Sequence, residues 1–316
     1  MRKIWFLFLL PLITIAQTSV DKADTFLKNR QYDDAERLLS NYVKSNPDNL
    51  KAVELLGDAY GHQKKWDEAI DTYRTLVEHD ANNANYHYKY GGVLGMKALE
   101  NKLSAIGFIG DLKYAFERAA ELDKTHIDTR WALVELYMEL PSIVGGSVKK
   151  SMKYAQELED LSKVDGYLAK GYIYEYDDEP ELAEKYYKMA IKEGGSMTCF
   201  DKLTTFYQNQ NKPKAAIKNI ESAKEKHQRN ALHYQIGKVA AEYNVELYKG
   251  EKCLHTYIKN YTAKDGVPKA WAYYRLAQIQ THKYNKEKAL NYINMAITEL
   301  PNIKPFVKQK DIILKM

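Results

Sequence analysis

The strongest constraint on the fold is a helix-pair pattern that recurs along the chain with a period of about 34 residues. Its clearest copy covers residues 53–81, where apolar residues recur at helical spacing in two runs separated by a polar turn. Leu56 and Tyr60 share one face of the first predicted helix. Gly57 and Ala69 carry little or no side chain, so the two predicted helices can approach closely. Because an isolated short helix is marginal in water, each pair needs a neighbour like itself.

The neighbouring segments carry the same residue types. The equivalent places hold Ala23, Phe26, Tyr32, Ala35, Leu39 and Pro47 one period earlier, and Tyr90, Gly91 and Leu94 one period later. In Leu56-Gly57, Tyr60, Ala69 and Tyr73 the chain resembles the tetratricopeptide repeat (TPR) family, whose pattern is Leu-Gly, Tyr, then Ala-x-x-x-Phe. The resemblance covers nearly all of the chain after residue 20 and implies an all-α, right-handed TPR solenoid.

We predict one continuous solenoid of about eight helix–turn–helix repeats over residues 18–302. The predicted repeats cover about residues 20–49, 50–83, 84–125, 126–163, 164–195, 196–228, 229–264 and 265–302. The seventh is expected to have a stretched connection through Tyr248 and Gly250, with Cys253 at the small-residue position of its second helix. Residues 303–316 place Phe306 and Ile313 among lysines, which predicts a C-terminal capping helix. No strand pattern or long linker interrupts the series.

The N-terminus is typical of a secretory signal peptide. Arg2 and Lys3 precede an apolar run, and the run ends near the small-residue site Thr14-x-Ala16. The run is short for a membrane span, although an uncleaved anchor is the alternative. We therefore expect residues 1–17 to act as a cleavable signal peptide, with the mature chain starting near Gln17, and the protein to be exported, either periplasmic or secreted.

Charge and cysteine content narrow the functional classes. The net charge is +5, and loss of Arg2 and Lys3 would leave +3, which is too mild to predict nucleic-acid binding. The two cysteines, Cys199 and Cys253, lie in different predicted repeats. An exported protein could oxidise them, but two unpaired thiols are the favoured interpretation.

The sequence contains no catalytic signature that we recognise. It lacks His-Glu-x-x-His, Gly-x-Ser-x-Gly, a phosphate-binding loop and Cys-x-x-Cys. The glycines between Gly91 and Gly95 lie within a predicted helix and follow no strand, so they cannot cradle a phosphate. The eight histidines are scattered singly. We predict that the protein is not an enzyme and has neither a metal site nor a cofactor.

Function is therefore expected to lie in surfaces. The TPR resemblance implies that the first helix of each repeat lines a concave groove for a peptide or a partner helix. The corresponding positions are Tyr88, Trp131, Glu135, Tyr172, Tyr176, Tyr234, Trp271 and Tyr274. Further polar positions among them are Glu139, Glu175, Asp201, Gln208, Lys238 and Gln278. Tyrosine and tryptophan are enriched in binding hot spots. The alternative is chance, because the chain has 26 tyrosines against 8 phenylalanines, and some would simply pack between repeats. Asp24 stands where a carboxylate-clamping member would have asparagine, which disfavours that mode.

Two insertions interrupt the third and fourth repeats. Each falls between the two helices of its repeat, so the insertions should be neighbours along one edge of the solenoid. They mix glycine with apolar residues, which are Ile106, Phe108 and Ile109 in one and Ile143 and Val144 in the other. Extra loops on one face of a repeat protein often mark a binding face. The alternative is that they pack on each other as a local satellite core.

Together these patterns predict a non-catalytic protein-interaction scaffold of the cell envelope, with an aromatic-lined groove and the insertion edge as a second contact. Two other classes stay open. One is a binder of a glycan or peptidoglycan fragment that stacks on Tyr88, Trp131, Trp271 and Tyr274. The other is a membrane-associated assembly factor that uses Phe108 and Ile109 as a wedge. The partner itself is not identified by the sequence.

Overall fold

All regular structure in the described part of the chain is helical. The computed structural model describes residues 10–100 and 106–316. The first nine residues of the predicted signal peptide and residues 101–105 of the first predicted insertion lie outside the described residues. The described residues contain no strand, so the predicted all-α fold class is confirmed.

The chain divides into two compact units, Met1–Leu161 and Ser162–Met316, close to the predicted boundary between the fourth and fifth repeats. The helices of the first unit are α1 (Leu10–Lys28), α2 (Tyr32–Ser45), α3 (Leu50–His62), α4 (Trp66–His79), α5 (Ala84–Glu100), α6 (Ile109–Leu122), α7 (Ile127–Glu139) and α8 (Val148–Leu161). Those of the second unit are α9 (Lys163–Tyr176), α10 (Pro180–Glu193), α11 (Met197–Asn209), α12 (Pro213–His227), α13 (Ala231–Tyr243), α14 (Leu247–Lys259), α15 (Lys269–His282), α16 (Lys286–Glu299) and α17 (Lys304–Leu314).

Within each unit, helix pairs close over glycine as the sequence pattern predicts. In the first unit a Cβ placed on Gly57 would lie 2.8 Å from Cζ of Tyr73. In the second, a Cβ on Gly171 would lie 2.7 Å from the ring of Tyr187. Real Cβ atoms do not approach neighbours this closely, so only glycine permits these helix crossings.

The seventh repeat corrects a detail of the sequence interpretation. Its second helix, α14, begins at Leu247, so the predicted stretched connection through Tyr248 is wrong. The small-residue position is Gly250, where a Cβ would lie 2.4 Å from Cβ of Ala240, and not Cys253. The longer connection instead follows α14 and contains a 3₁₀ turn, Ala263–Asp265. Cys199 and Cys253 are buried free thiols.

The second unit ends in the predicted capping helix, α17. Phe306 and Ile313 are fully buried against Ala289, Ile293 and Ala296. The remaining apolar side chains of α17 include Val307, which is 48% exposed. None of the helices described here is both long and apolar enough to cross a membrane.

Candidate functional site

An open pocket lies on the first helices of the fifth and sixth repeats, within the second unit. It has a volume of about 580 Å³. Its lining comes from α9, from α11 and from one residue of α10. The lining residues are Tyr172, Glu175, Tyr176, Tyr187, Thr198, Asp201, Lys202, Thr205 and Asn209. We call this site the α9–α11 pocket.

Two of the predicted groove residues form one wall of the pocket. Tyr172 and Tyr176 are one helical turn apart on α9, which places both rings on the same face. Their ring centroids are 6.2 Å apart and the ring planes are inclined by 52°. Tyr172 is partly buried, whereas Tyr176 is 50% exposed. The rings therefore offer inclined aromatic surface at the pocket wall.

A fixed carboxylate lies beside these rings. Glu175 accepts a hydrogen bond of 2.7 Å from the Tyr187 hydroxyl and one of 2.8 Å from Asn209 Nδ2. The two bonds use both carboxylate oxygens and come from different helices, so they orient the group. Burial, followed by the charge of Glu175, raises the pKa of Tyr187 well above its ordinary value, which keeps the hydroxyl a donor.

A second carboxylate, Asp201, projects from α11 into the same pocket. Partial burial raises its pKa, and a hydrogen bond from Gln235 together with the charge of Arg229 offsets only part of that rise. Lys202 contributes one positive charge at the rim and is exposed. The pocket thus combines aromatic rings, two carboxylates, an ammonium group and hydroxyls.

Another predicted groove residue of the second unit is not available to a partner. Tyr234 is only 8% exposed, and its ring packs 5.4 Å from that of Tyr257. Its prediction as a contact residue is therefore corrected. The position is equivalent in the repeat, but side chains of α14 and α15 pack around it.

The capping helix packs against Trp271 and Tyr274. Their ring centroids lie 4.9 Å and 5.2 Å, respectively, from that of Phe306. Both are only partly exposed. The glycan interpretation required these rings to form a closed pocket with convergent polar groups. Instead, both rings pack against the capping helix of the same chain.

In the first unit the predicted groove residues lie on α5 and α7. Tyr88 is partly buried, with its ring 6.0 Å from Phe116 and 4.9 Å from His126. Trp131 is partly buried, and Glu135 is exposed one helical turn further along α7. Their role in partner binding stays a prediction.

The insertion edge belongs to the first unit and is partly exposed. Ile143 is 92% exposed and Ile106 is 69% exposed, so neither is buried in a satellite core. Phe108 and Val144 are partly buried, and Lys97 Nζ lies 6.0 Å from the centroid of the Phe108 ring.

Two details of this edge differ from or extend the sequence interpretation. Ile109, predicted within the insertion, is instead the first residue of α6 and is partly buried. The second insertion lies against α6, because a Cβ on Gly145 would be 2.6 Å from Lys113 Nζ. That the two interruptions meet each other along one edge stays a prediction.

The sequence interpretation of the groove omitted five lining residues, which are Tyr187, Thr198, Lys202, Thr205 and Asn209. Tyr187 has the spacing of a core residue, and it is 2% exposed, so only its hydroxyl serves the pocket. Asn209 lies at the end of α11 and reaches Glu175 across 34 positions of sequence. In the described ranges, no group of three or more His, Cys, Asp or Glu residues could hold a metal ion.

One family model matches part of the chain, and several solved structures are similar to it. Residues 20–85 match the sequence model of the tetratricopeptide repeat. No curated protein matches the chain. A tetratricopeptide repeat protein from Parabacteroides merdae ATCC 43184 is similar in structure, with a TM-score of 0.52, 13% identity, and coverage of 95% of this chain and 98% of that one. This similarity establishes the fold as a solenoid of helical repeats.

Two smaller structures are also similar. MamA has a TM-score of 0.44 and 22% identity, with coverage of 56% of this chain and 91% of its own. YrrB, a TPR protein with an unusual peptide-binding site, has a TM-score of 0.42 and 20% identity, with coverage of 62% and 98%, respectively.

Proposed function

Because residues 20–85 match the tetratricopeptide repeat model and the chain folds as a helical-repeat solenoid, we propose that this protein is a non-catalytic interaction scaffold. Its partner is a protein or peptide segment. A TPR fold itself suggests a protein–protein interaction role, and TPR proteins are generally non-catalytic. Beyond this general role, we propose where on this chain the partner binds.

The observation that carries the proposal is the α9–α11 pocket. It lies on the first helices of two adjacent repeats, where the TPR resemblance implies partner contact. Tyr176 is 50% exposed there, so part of its ring is accessible to a partner. Fixed polar groups surround the rings, and this combination of aromatic surface and oriented hydrogen-bonding groups is typical of recognition sites.

We also propose export. The support is the signal-peptide pattern of residues 1–17, with cleavage expected before Gln17. Expression in a bacterial host, followed by N-terminal sequencing of the protein released from the periplasm, tests it. A chain that retains Met1 and remains in the cytosolic fraction would contradict the proposal, whereas one that retains Met1 and sediments with the membranes would be the uncleaved anchor.

Crosslinking in the compartment where the protein resides tests the scaffold function. The tagged protein is compared with a Tyr172→Ala/Tyr176→Ala double variant and with Tyr284→Asn. Tyr284 lies outside the pocket and is 88% exposed, and its φ of 57° is a conformation that asparagine tolerates. Tyr284→Asn therefore removes an exposed tyrosine without changing the pocket, which makes it a matched control.

We expect one partner to crosslink to the wild type and to Tyr284→Asn but not to the double variant. Circular dichroism must show that the double variant is as helical as the wild type. Equal crosslinking of one partner to all three proteins would place the contact elsewhere and overturn the pocket as the binding site.

The insertion edge supports a second candidate, a membrane-associated assembly factor. Ile143 at 92% exposure and Ile106 at 69% are unusually open for isoleucine, and apolar side chains of this kind insert into lipid interfaces. Cosedimentation with anionic liposomes tests it. Binding that is lost in Ile143→Ser and kept in Tyr284→Asn would support the candidate, and equal sedimentation of both variants would remove it.

A further inference from the structure

We propose that the α9–α11 pocket binds an arginine side chain of the partner segment. The inference rests on the proposed function, because it names the partner's chemistry at that same site. It follows from the combination of two inclined aromatic rings with two carboxylates in one open pocket.

The rings account for the flat, cationic character of the expected group. The rings of Tyr172 and Tyr176 are inclined by 52° with centroids 6.2 Å apart, both residues line the pocket, and Tyr176 is 50% exposed. Ring faces attract cations placed within about 6 Å of the centroid, and arginine takes this position more often than lysine. A guanidinium can also stack flat on a ring because it is planar and weakly hydrated.

The carboxylates account for the charge and the hydrogen bonds. Glu175 accepts one hydrogen bond at each oxygen, from Tyr187 and from Asn209. A carboxylate offers about four lone-pair sites, so oxygen positions remain for a second set of donors. Because those two bonds already orient the group, little rotamer entropy is lost when a guanidinium binds. Asp201 lies across the pocket on α11 and adds a second negative charge.

The charge balance favours a cation over an anion. Among the lining residues, two carboxylates face one ammonium group, Lys202, whose long side chain is exposed. The charge of Arg229, which is not a lining residue, also acts on Asp201, so Glu175 is the main anionic partner offered to a cation. An anionic segment would meet Glu175 and Asp201 directly. Guanidinium is preferred to ammonium because its fork of donors can reach a carboxylate while its plane lies on a ring, whereas ammonium is a compact, strongly hydrated charge.

Small arginine analogues test the inference without knowledge of the partner. The probes are N-acetyl-L-arginine amide, its neutral and nearly isosteric citrulline counterpart, and N-acetyl-L-lysine amide, each titrated into the purified protein and followed by ligand-observed NMR. We expect the arginine probe to bind about tenfold more tightly than the citrulline probe, the ratio that 1.4 kcal/mol of charge-dependent interaction produces.

Charge variants locate the binding. Glu175→Gln/Asp201→Asn removes both pocket carboxylates and should abolish the arginine preference. Glu193→Gln/Glu225→Gln makes the same change in charge at two exposed positions on α10 and α12 and should leave the preference intact. Equal binding of arginine and citrulline, binding of lysine as tight as that of arginine, or an unchanged preference in Glu175→Gln/Asp201→Asn would each overturn the assignment.

The partner crosslinking experiment separates this inference from the scaffold function. A partner that is lost from Tyr172→Ala/Tyr176→Ala yet retained fully by Glu175→Gln/Asp201→Asn would leave the pocket a binding site and overturn the arginine assignment. Loss from both double variants, with retention by Glu193→Gln/Glu225→Gln, supports it.

Discussion

Gly91 of α5 lies directly against the ring of Phe116 on α6. A Cβ placed on Gly91 would be 2.9 Å from both Cδ1 and Cε1 of that ring, whereas a Cβ on the adjacent Gly92 would meet nothing within 4 Å. The first glycine therefore sets the distance between the two helices of the third repeat. The second does not, although both share one helix and one backbone conformation.

This difference predicts opposite effects of the same substitution. Gly91→Ala should lower the free energy of unfolding by about 1–2 kcal/mol, because forcing the ring aside outweighs the better helix propensity of alanine. Gly92→Ala should raise it by about 0.5–1 kcal/mol through propensity alone. Urea denaturation of both variants measures the difference. Stabilisation by Gly91→Ala would show that the helices can separate without cost.

An acid-sensitive ion pair joins α3 and α5 of the first unit. Lys89 Nζ lies 2.8 Å from Glu54 Oε1 and 2.8 Å from Asp58 Oδ2. Burial opposes ionisation of Glu54, but the hydrogen bond and charge of Lys89, with a smaller contribution from Lys51, lower its pKa below the ordinary value of 4.5. Glu54 therefore stabilises the fold above its unfolded pKa, and this stabilisation is lost as the pH falls through the lower folded pKa.

We expect Glu54→Gln to make stability decline less steeply with acid below about pH 4.5. At neutral pH it should lower the free energy of unfolding by only about 1–2 kcal/mol, because Lys89 retains its ion pair with Asp58. Glu78→Gln, at an exposed position on α4, is the control and should retain the wild-type slope. Thermal unfolding at several pH values measures both. If the stability of Glu54→Gln fell with acid as steeply as that of the wild type, the Glu54–Lys89 pair would be excluded as a cause of the acid sensitivity.

Arg130 on α7 is 1% exposed, and its guanidinium hydrogen-bonds the backbone just beyond the C-terminal end of α6. Its guanidinium donates to the carbonyl oxygens of Asp123 and His126 at 3.1 and 3.0 Å, and its Nε lies 3.1 Å from Glu157 Oε2 on α8. Arg130→Met keeps much of the volume but leaves these acceptors without their cation. We expect a loss of about 3–5 kcal/mol in urea denaturation. Arg118 forms a partly exposed surface ion pair with Glu121. Arg118→Met should therefore change the free energy of unfolding by less than about 1 kcal/mol.

The capping helix offers a further comparison. Phe306 is fully buried against Trp271 and Tyr274, whereas the next residue, Val307, is 48% exposed. Phe306→Ala should cost about 3–5 kcal/mol, because it leaves a cavity beneath α17. Val307→Ala should cost less than about 1 kcal/mol. Comparable losses from the two substitutions in guanidinium denaturation would show that α17 is not anchored through its buried face.

The helix pairs could be predicted from sequence because their signals are local. Gly57, Ala69 and Tyr73 lie within 17 positions of one another, and their spacing alone identifies two amphipathic helices that cross closely. The seventh repeat shows the limit of this reasoning. Cys253 and Gly250 both fit a small-residue position, and only the start of α14 at Leu247 decides for Gly250.

The sequence by itself determined the helical repeats and the face on which each aromatic residue lies. Only the tertiary structure decided which of those residues remain open, because exposure depends on side chains supplied by other helices. Tyr234 is enclosed by Tyr257, and Trp271 is covered by Phe306, while Tyr176 stays 50% exposed beside Glu175. Helical periodicity orients a side chain within its own helix, but it carries no information on what packs against that side chain from a distant part of the chain.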